Sequence, residues 1–273
     1  MPATALGAWN LWRAVSGVAL GPSVQAHALV QIYAFAIPLG VALGPEGGRH
    51  ARRLLSMTLA AVAVSTLGLA SGKWLPFELF GPTWHLGLFG VALPLALERC
   101  EAGLRGGTAV AYALGVAVCA LGLALPMGHV LVQAGRGAFA AALLLSVWSR
   151  RPRVAATAIW IAAASLATVA NAIRELAGAP ASDELVSDSV RHAFAIGGVA
   201  LPLLVLAAPR ARRAIVALAS LAAGLRLFVV PLAYGPAVLA PAAGALVSVS
   251  GALGVLAIVV AARVASIDTP RPR

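Results

Sequence analysis

The chain has 273 residues, 61% of them hydrophobic and only 11% charged, against roughly 25% charged in an ordinary soluble domain. Its mean hydropathy is +0.93, and its apolar residues come in blocks of about 20, the length that spans a bilayer core. These quantities exclude a soluble single-core enzyme, a disordered chain and a coiled coil. The net charge of +11 comes mostly from Arg, 19 of the 20 cations. These Arg residues sit in short clusters between apolar blocks, where they mark topology and meet anionic lipid. No aromatic–basic interleaving points to nucleic acid.

Residues 1–22 carry Trp9, Trp12 and Arg13 with no basic start ahead of the apolar run. They read as an interfacial segment, or a short extra span, rather than a cleavable signal. Nine apolar blocks follow, at 24–44, 54–72, 77–97, 107–126, 128–148, 154–176, 187–208, 213–234 and 238–263. The connections are short and rich in Gly, Pro and Arg. The expected architecture is therefore all-α: one polytopic transmembrane helical bundle over 23–265. It has about nine spans, eight to ten counting the soft cases, and a cytoplasmic tail at 266–273.

The cations test that division. Fourteen of them fall after blocks one, three, five, seven and nine: Arg49, Arg52 and Arg53; Arg99 and Arg105; Arg150, Arg151 and Arg153; Arg210, Arg212 and Arg213; Arg263, Arg271 and Arg273. The other connections hold Lys73, Arg174 and Arg191 with the acids Asp183, Glu184 and Asp188. By the positive-inside rule block one starts outside and the C-terminus is cytoplasmic. The expected location is the inner membrane of a bacterium, crossed several times, with the lipid bilayer as partner.

Within that topology His27, His85, His129 and His192 each lie near the outer end of a different outside-to-inside helix. His50 falls in an Arg-rich connection and reads as solvated. Each histidine alone reads as interfacial. Four at one depth point to the bundle interior, where ionisable groups are costly, and neutral imidazole is a common ligand for transition metals and haem iron. His129, Gln133 and Arg136 are spaced four and three apart, so they share one helix face. His27 and Gln31 repeat part of that pattern. Ser165, Thr168, Asn171 and Glu175 form a second polar stripe, which reads first as hydrogen-bonding glue between helices. Arg136 and Arg226 are intramembrane cations some eight or nine residues from an outer end. With almost no acid expected nearby, they are expected to converge on one bound anion, such as haem propionates, an anionic lipid or an anionic ligand.

Cys100 and Cys119 form no CxxC pair or disulfide framework, and Cys119 reads as a small packing residue. No phosphate-binding loop, GxSxG, HExxH or CxxCH motif is present. The segment GVALPL occurs at 90–95 and again at 198–203, each copy following a histidine, His85 and His192. This hints at a duplicated outside-to-inside helix.

Three segments carry a family resemblance. His192-Ala-Phe-Ala-Ile-Gly-Gly-Val-Ala followed by Arg210 resembles the late histidine helix of the NnrS family. Ala223-Gly-Leu-Arg226-Leu-Phe and the last apolar span look like that family's next two helices. Gln25-Ala-His27-Ala-Leu-Val-Gln31-Ile-Tyr-Ala-Phe looks like its early histidine helix. The match is best over 187–263 and partial over 24–50. This chain has fewer spans than is usual in that family, and His27-Ala28 stands where the family has a His-Glu pair. The resemblance implies a haem b and possible copper membrane protein linked to nitric oxide, denitrification or respiratory metabolism. A diatomic gas ligand and a membrane electron donor would be its partners. It carries His27 and His192 over as haem or metal ligands. Gln31, Arg136 and Arg226 are placed around the cofactor on polarity, and His85 and His129 as metal candidates on depth and polarity. The competing reading is a permease or structural membrane component whose histidines and arginines bind an anionic substrate or lipid without a redox cofactor. Catalysis is left open by the sequence.

Overall fold

A computed structural model describes residues 23–44, 63, 75–126, 128–150, 152–180, 184–233 and 239–268. Eight helices within it are long and apolar enough to cross a membrane. They are α1 (Gln25–Ala42), α2 (Phe77–Arg99), α3 (Gly106–Ala124), α4 (His129–Ser149), α5 (Ala155–Leu176), α6 (Val186–Ala207), α7 (Pro209–Leu232) and α8 (Pro241–Ser266). No strand occurs among the described residues. Eight of the nine expected blocks thus appear as helices; the block at 54–72 apart from residue 63, the segment 1–22 and His50 lie outside the described residues. Leu79, Val130, Leu145, Trp148, Ile159 and Phe228 are exposed on the bundle surface. A soluble protein could not carry such a surface, but lipid tails solvate it. The chain is a multi-pass α-helical membrane protein in contact with lipid.

Three of the helices are not α-helical throughout. Gln31–Ala36 in α1, Leu86–Ala92 in α2 and Phe194–Ala200 in α6 are π-helical. The cause is a proline two residues after each segment: Pro38, Pro94 and Pro202. A proline has no N–H for the carbonyl four residues back, and its ring crowds that carbonyl. Widening the turn relieves the clash. The residue just before each proline then donates five residues back, from Ile37 to Ile32, Leu93 to Leu88 and Leu201 to Ile196. The carbonyl five residues before Pro94 belongs to Phe89, and the buried Tyr112 hydroxyl of α3 donates to it.

The two GVALPL copies each run from the end of a π segment into its proline, so the sequence repeat has a structural counterpart. The first helix adds a third copy, Ala36-Ile37-Pro38-Leu39, with Ile in place of the first Leu. These three helices meet closely. A side chain at Gly87 would come within 2.8 Å of Ile32 and Tyr33, and one at Gly198 within 3.0 Å of Leu93. Helices α3 and α4 approach closer still. A Cβ at Gly115 would sit 2.5 Å from the Phe139 backbone nitrogen, and one at Gly135 2.6 Å from the Gly115 carbonyl. Small residues let helix backbones touch in this way.

The central core is aromatic. Phe89, Phe139 and Phe194, from α2, α4 and α6, are each at most 2% exposed. Phe89 lies 4.7 Å from Phe139 and 5.3 Å from Phe194, ring centre to ring centre. This cluster is the floor on which the polar residues of the cation-poor end rest.

Candidate functional site: a cationic chamber and its vestibule

His85 stands on the aromatic floor. It is 3% exposed, with its ring 5.0 Å from Phe89 and 5.6 Å from Phe139. Its Nδ1 is 3.9 Å from the Cys119 sulfur. Its Nε2 is buried without a hydrogen-bond partner. A buried polar atom left unmatched is uncommon and costs about 1–3 kcal/mol. It lines a cavity of about 70 Å³ that also meets Trp84, Arg136, Thr168, Asn171, Ser187 and Arg191. Five helices, α2 to α6, build the wall. No carboxylate is among its lining residues. The Arg191 guanidinium lies 5.2 Å over the Trp84 ring, and its Nε donates to the Ser187 carbonyl at 3.0 Å. Cation–π contact and backbone bonding hold this charge at the rim.

A second, more open cavity of about 390 Å³ adjoins the first. Phe77, Leu123, Arg136 and Ser187 belong to both walls. His129, Gln133 and Arg136 all line this vestibule, as their spacing on one helix face requires. Opposite them on α5 stands Glu175, whose side chain is only 2% exposed. Gln133 Nε2 donates to its Oε2 at 2.6 Å and Asn171 Nδ2 to its Oε1 at 3.1 Å. His129 Nε2 is 3.6 Å from Oε2, and Arg174 is 3.9 Å from Oε1. The α5 stripe therefore acts as interhelical glue through Glu175, whose bond to Gln133 joins α5 to α4. Higher up, Thr168 bonds its own helix at Ala164, and Ser165 is buried without a partner.

Arg226 behaves differently from the sequence expectation. Its Nη1 is 3.4 Å from Asp188 Oδ2. Asp188 also holds His192, whose Nδ1 is 3.1 Å from Oδ2 and 2.9 Å from the Asp188 carbonyl. The expectation of almost no acidic partner is corrected here. Asp188, expected in a connection, sits in the first turns of α6, facing α7. Arg226 lines neither cavity while Arg136 lines both, so the two guanidiniums have different surroundings. The cation that shares the chamber with Arg136 is Arg191, which stands on α6 rather than in a connection.

His27 and Gln31 are half-buried on α1 and line neither cavity. Two residues before His27, Gln25 clasps Leu75 through both backbone groups, at 3.1 and 2.7 Å. Across the described residues no group of three or more His, Cys, Asp or Glu is placed to hold a metal ion. Cys119 packs against His85, consistent with its reading as a packing residue. At the opposite end, burial pushes the Cys100 thiol up to about 11, opposed by the charge of Arg153 and reinforced by Glu101. It is a neutral packing group at physiological pH.

Fold and site together define a class: a multi-pass α-helical membrane protein with a cation-lined chamber adjoined by a polar vestibule. The chain matches no family model, no curated protein and no solved structure.

Proposed function

We propose that this protein binds a small anion in the chamber between α2, α4 and α6, at the end of the bundle that the Arg asymmetry assigns to the outside of a bacterial inner membrane. The carrying observation is the buried, unpartnered Nε2 of His85 in a cavity that also meets Arg136 and Arg191 and no carboxylate. The Arg136 guanidinium at membrane depth favours a counter-charge, and Arg191, which also interacts with Asp188, adds positive potential at the rim. Neutral imidazole donates to an anion without needing to be charged when its proton is on Nε2, the tautomer in which Nδ1 accepts from the Cys119 thiol. A cavity of about 70 Å³ suits a halide or a three- or four-atom oxyanion. It is far below the roughly 300–1,000 Å³ of sites for larger organic ligands. The vestibule gives the anion a polar route from the surface, as expected of a permease or an anion-dependent membrane component.

The second reading is the haem or copper protein that the NnrS resemblance implies. One observation favours it. Asp188 occupies His192 Nδ1, which is how second-shell carboxylates orient a metal-bound imidazole through its other nitrogen. The chamber beside His85 does not suit a tetrapyrrole, so haem would have to lie elsewhere, on His27 and His192. Nitric oxide binding and electron transfer belong to this reading alone.

Calorimetric titration of the purified protein with bromide and formate tests the first reading. Saturable binding is expected, weakened at least tenfold by Arg136→Gln, about 1.4 kcal/mol. An absorption spectrum of the same preparation addresses the second. A strong Soret band with no anion binding would reverse the order of the two.

A further inference from the structure

We infer that Glu175 takes up a proton when an anion enters the adjoining chamber, with His129 as its relay to the vestibule; the inference rests on the anion reading above. Glu175 is a carboxylate almost wholly removed from solvent, yet it forms part of the vestibule wall. His129 touches it from the open side, 53% exposed and 3.6 Å away. An exposed imidazole against a buried acid is a short path for a proton, since each ring nitrogen can receive or give one.

The amide of Gln133 supplies an independent sign that the acid has two states. Its Nε2 donates to Glu175, while its Oε1 is buried without any partner. A carboxylate has no hydrogen to offer that oxygen. A protonated Glu175 does, and acid and amide then close a ring of two hydrogen bonds, O–H to O and N–H to O. Of the two states of Glu175, only the protonated one can donate to that acceptor.

The coupling to the anion follows from the shared wall. Arg136 and Ser187 line both cavities. An anion held at Arg136 therefore brings a second negative charge into the low-dielectric neighbourhood of Glu175, which favours the neutral acid. The other charged groups around Glu175 have their own places. Arg174 is beside it on α5, and Arg136 of α4 lines the same vestibule. Arg191 of α6 stacks on Trp84, Glu78 of α2 is exposed on the vestibule rim, and Arg226 of α7 is paired with Asp188. His85 lies beyond the wall, in the chamber.

Calorimetry with bromide in two buffers of different ionisation enthalpy counts the protons. About one proton taken up per bromide is expected for the unaltered protein where free Glu175 is ionised. Bromide affinity should then fall by up to tenfold per unit rise in pH. Glu175→Gln should still bind bromide with no proton uptake and a flat pH profile, and His129→Gln should keep the proton count. Bromide binding by the unaltered protein without proton uptake would overturn this inference and leave the anion site standing. Uptake that survives in Glu175→Gln, or that vanishes in His129→Gln instead, would overturn the assignment to Glu175. Absence of bromide binding would overturn both readings together.

Discussion

Arg226 carries the kind of charge a membrane span tolerates least, and Asp188 supplies its counter-charge from within the protein while its Nε stays without a partner. Asp188 stands 38 positions earlier in the chain, so no spacing rule on one helix could have joined them. Only the packing of α6 on α7 brings them together. Asp188 is 41% exposed while Arg226 is 8% exposed, so the pair is worth less than a fully buried one. Removing the acid strands the buried cation. Asp188→Asn is expected to cost about 1–3 kcal/mol, a discount on the buried-pair value for solvent screening. Arg226→Met in the same chain should recover part of that loss, because the unpaired charge is gone. Thermal unfolding of the four proteins in detergent measures the cycle. Strict additivity would mean that the two side chains do not interact.

At the scale of the helices, hydropathy and cation spacing were enough to place the eight described spans, with each boundary within four residues of the helix observed. The blocks are long, and their ends are marked by Arg, Gly and Pro. The π segments were not readable in the same way. A helix apolar on nearly every face shows almost no periodicity, so a change from 3.6 residues per turn leaves no trace in the pattern. The signal that did exist was local: Leu-Pro-Leu after Ala in two helices and Ile-Pro-Leu in a third. Tyr112 is the test of this device, because its hydroxyl serves the Phe89 carbonyl that Pro94 cannot. Tyr112→Phe should destabilise the protein by about 1–3 kcal/mol, the cost of an unmatched buried acceptor. Amide exchange should rise in Leu86–Ala92 ahead of the rest of α2. An unchanged unfolding midpoint would show that the carbonyl finds another donor.

For the molecule as a whole, the sequence carried the depth of the polar residues but not their grouping. His129, Gln133 and Arg136 were legible as one face because they share a helix. Their meeting with Glu175, and the meeting of His85 with Arg136 and Arg191, depend on which helices are neighbours. The four histidines stand in different surroundings. His85 is in the chamber, His129 in the vestibule, His192 on Asp188 and His27 on α1 away from both cavities. That distribution is what moves the preferred reading from a shared cofactor to a small-anion chamber. The most direct test is anomalous diffraction from crystals of the protein grown with bromide. The predicted result is a bromide peak inside the chamber, within hydrogen-bonding reach of His85 Nε2 and the Arg136 guanidinium, that disappears in Arg136→Gln. Ordered bromide only on the bundle surface, or a chamber filled by an apolar side chain, would contradict it.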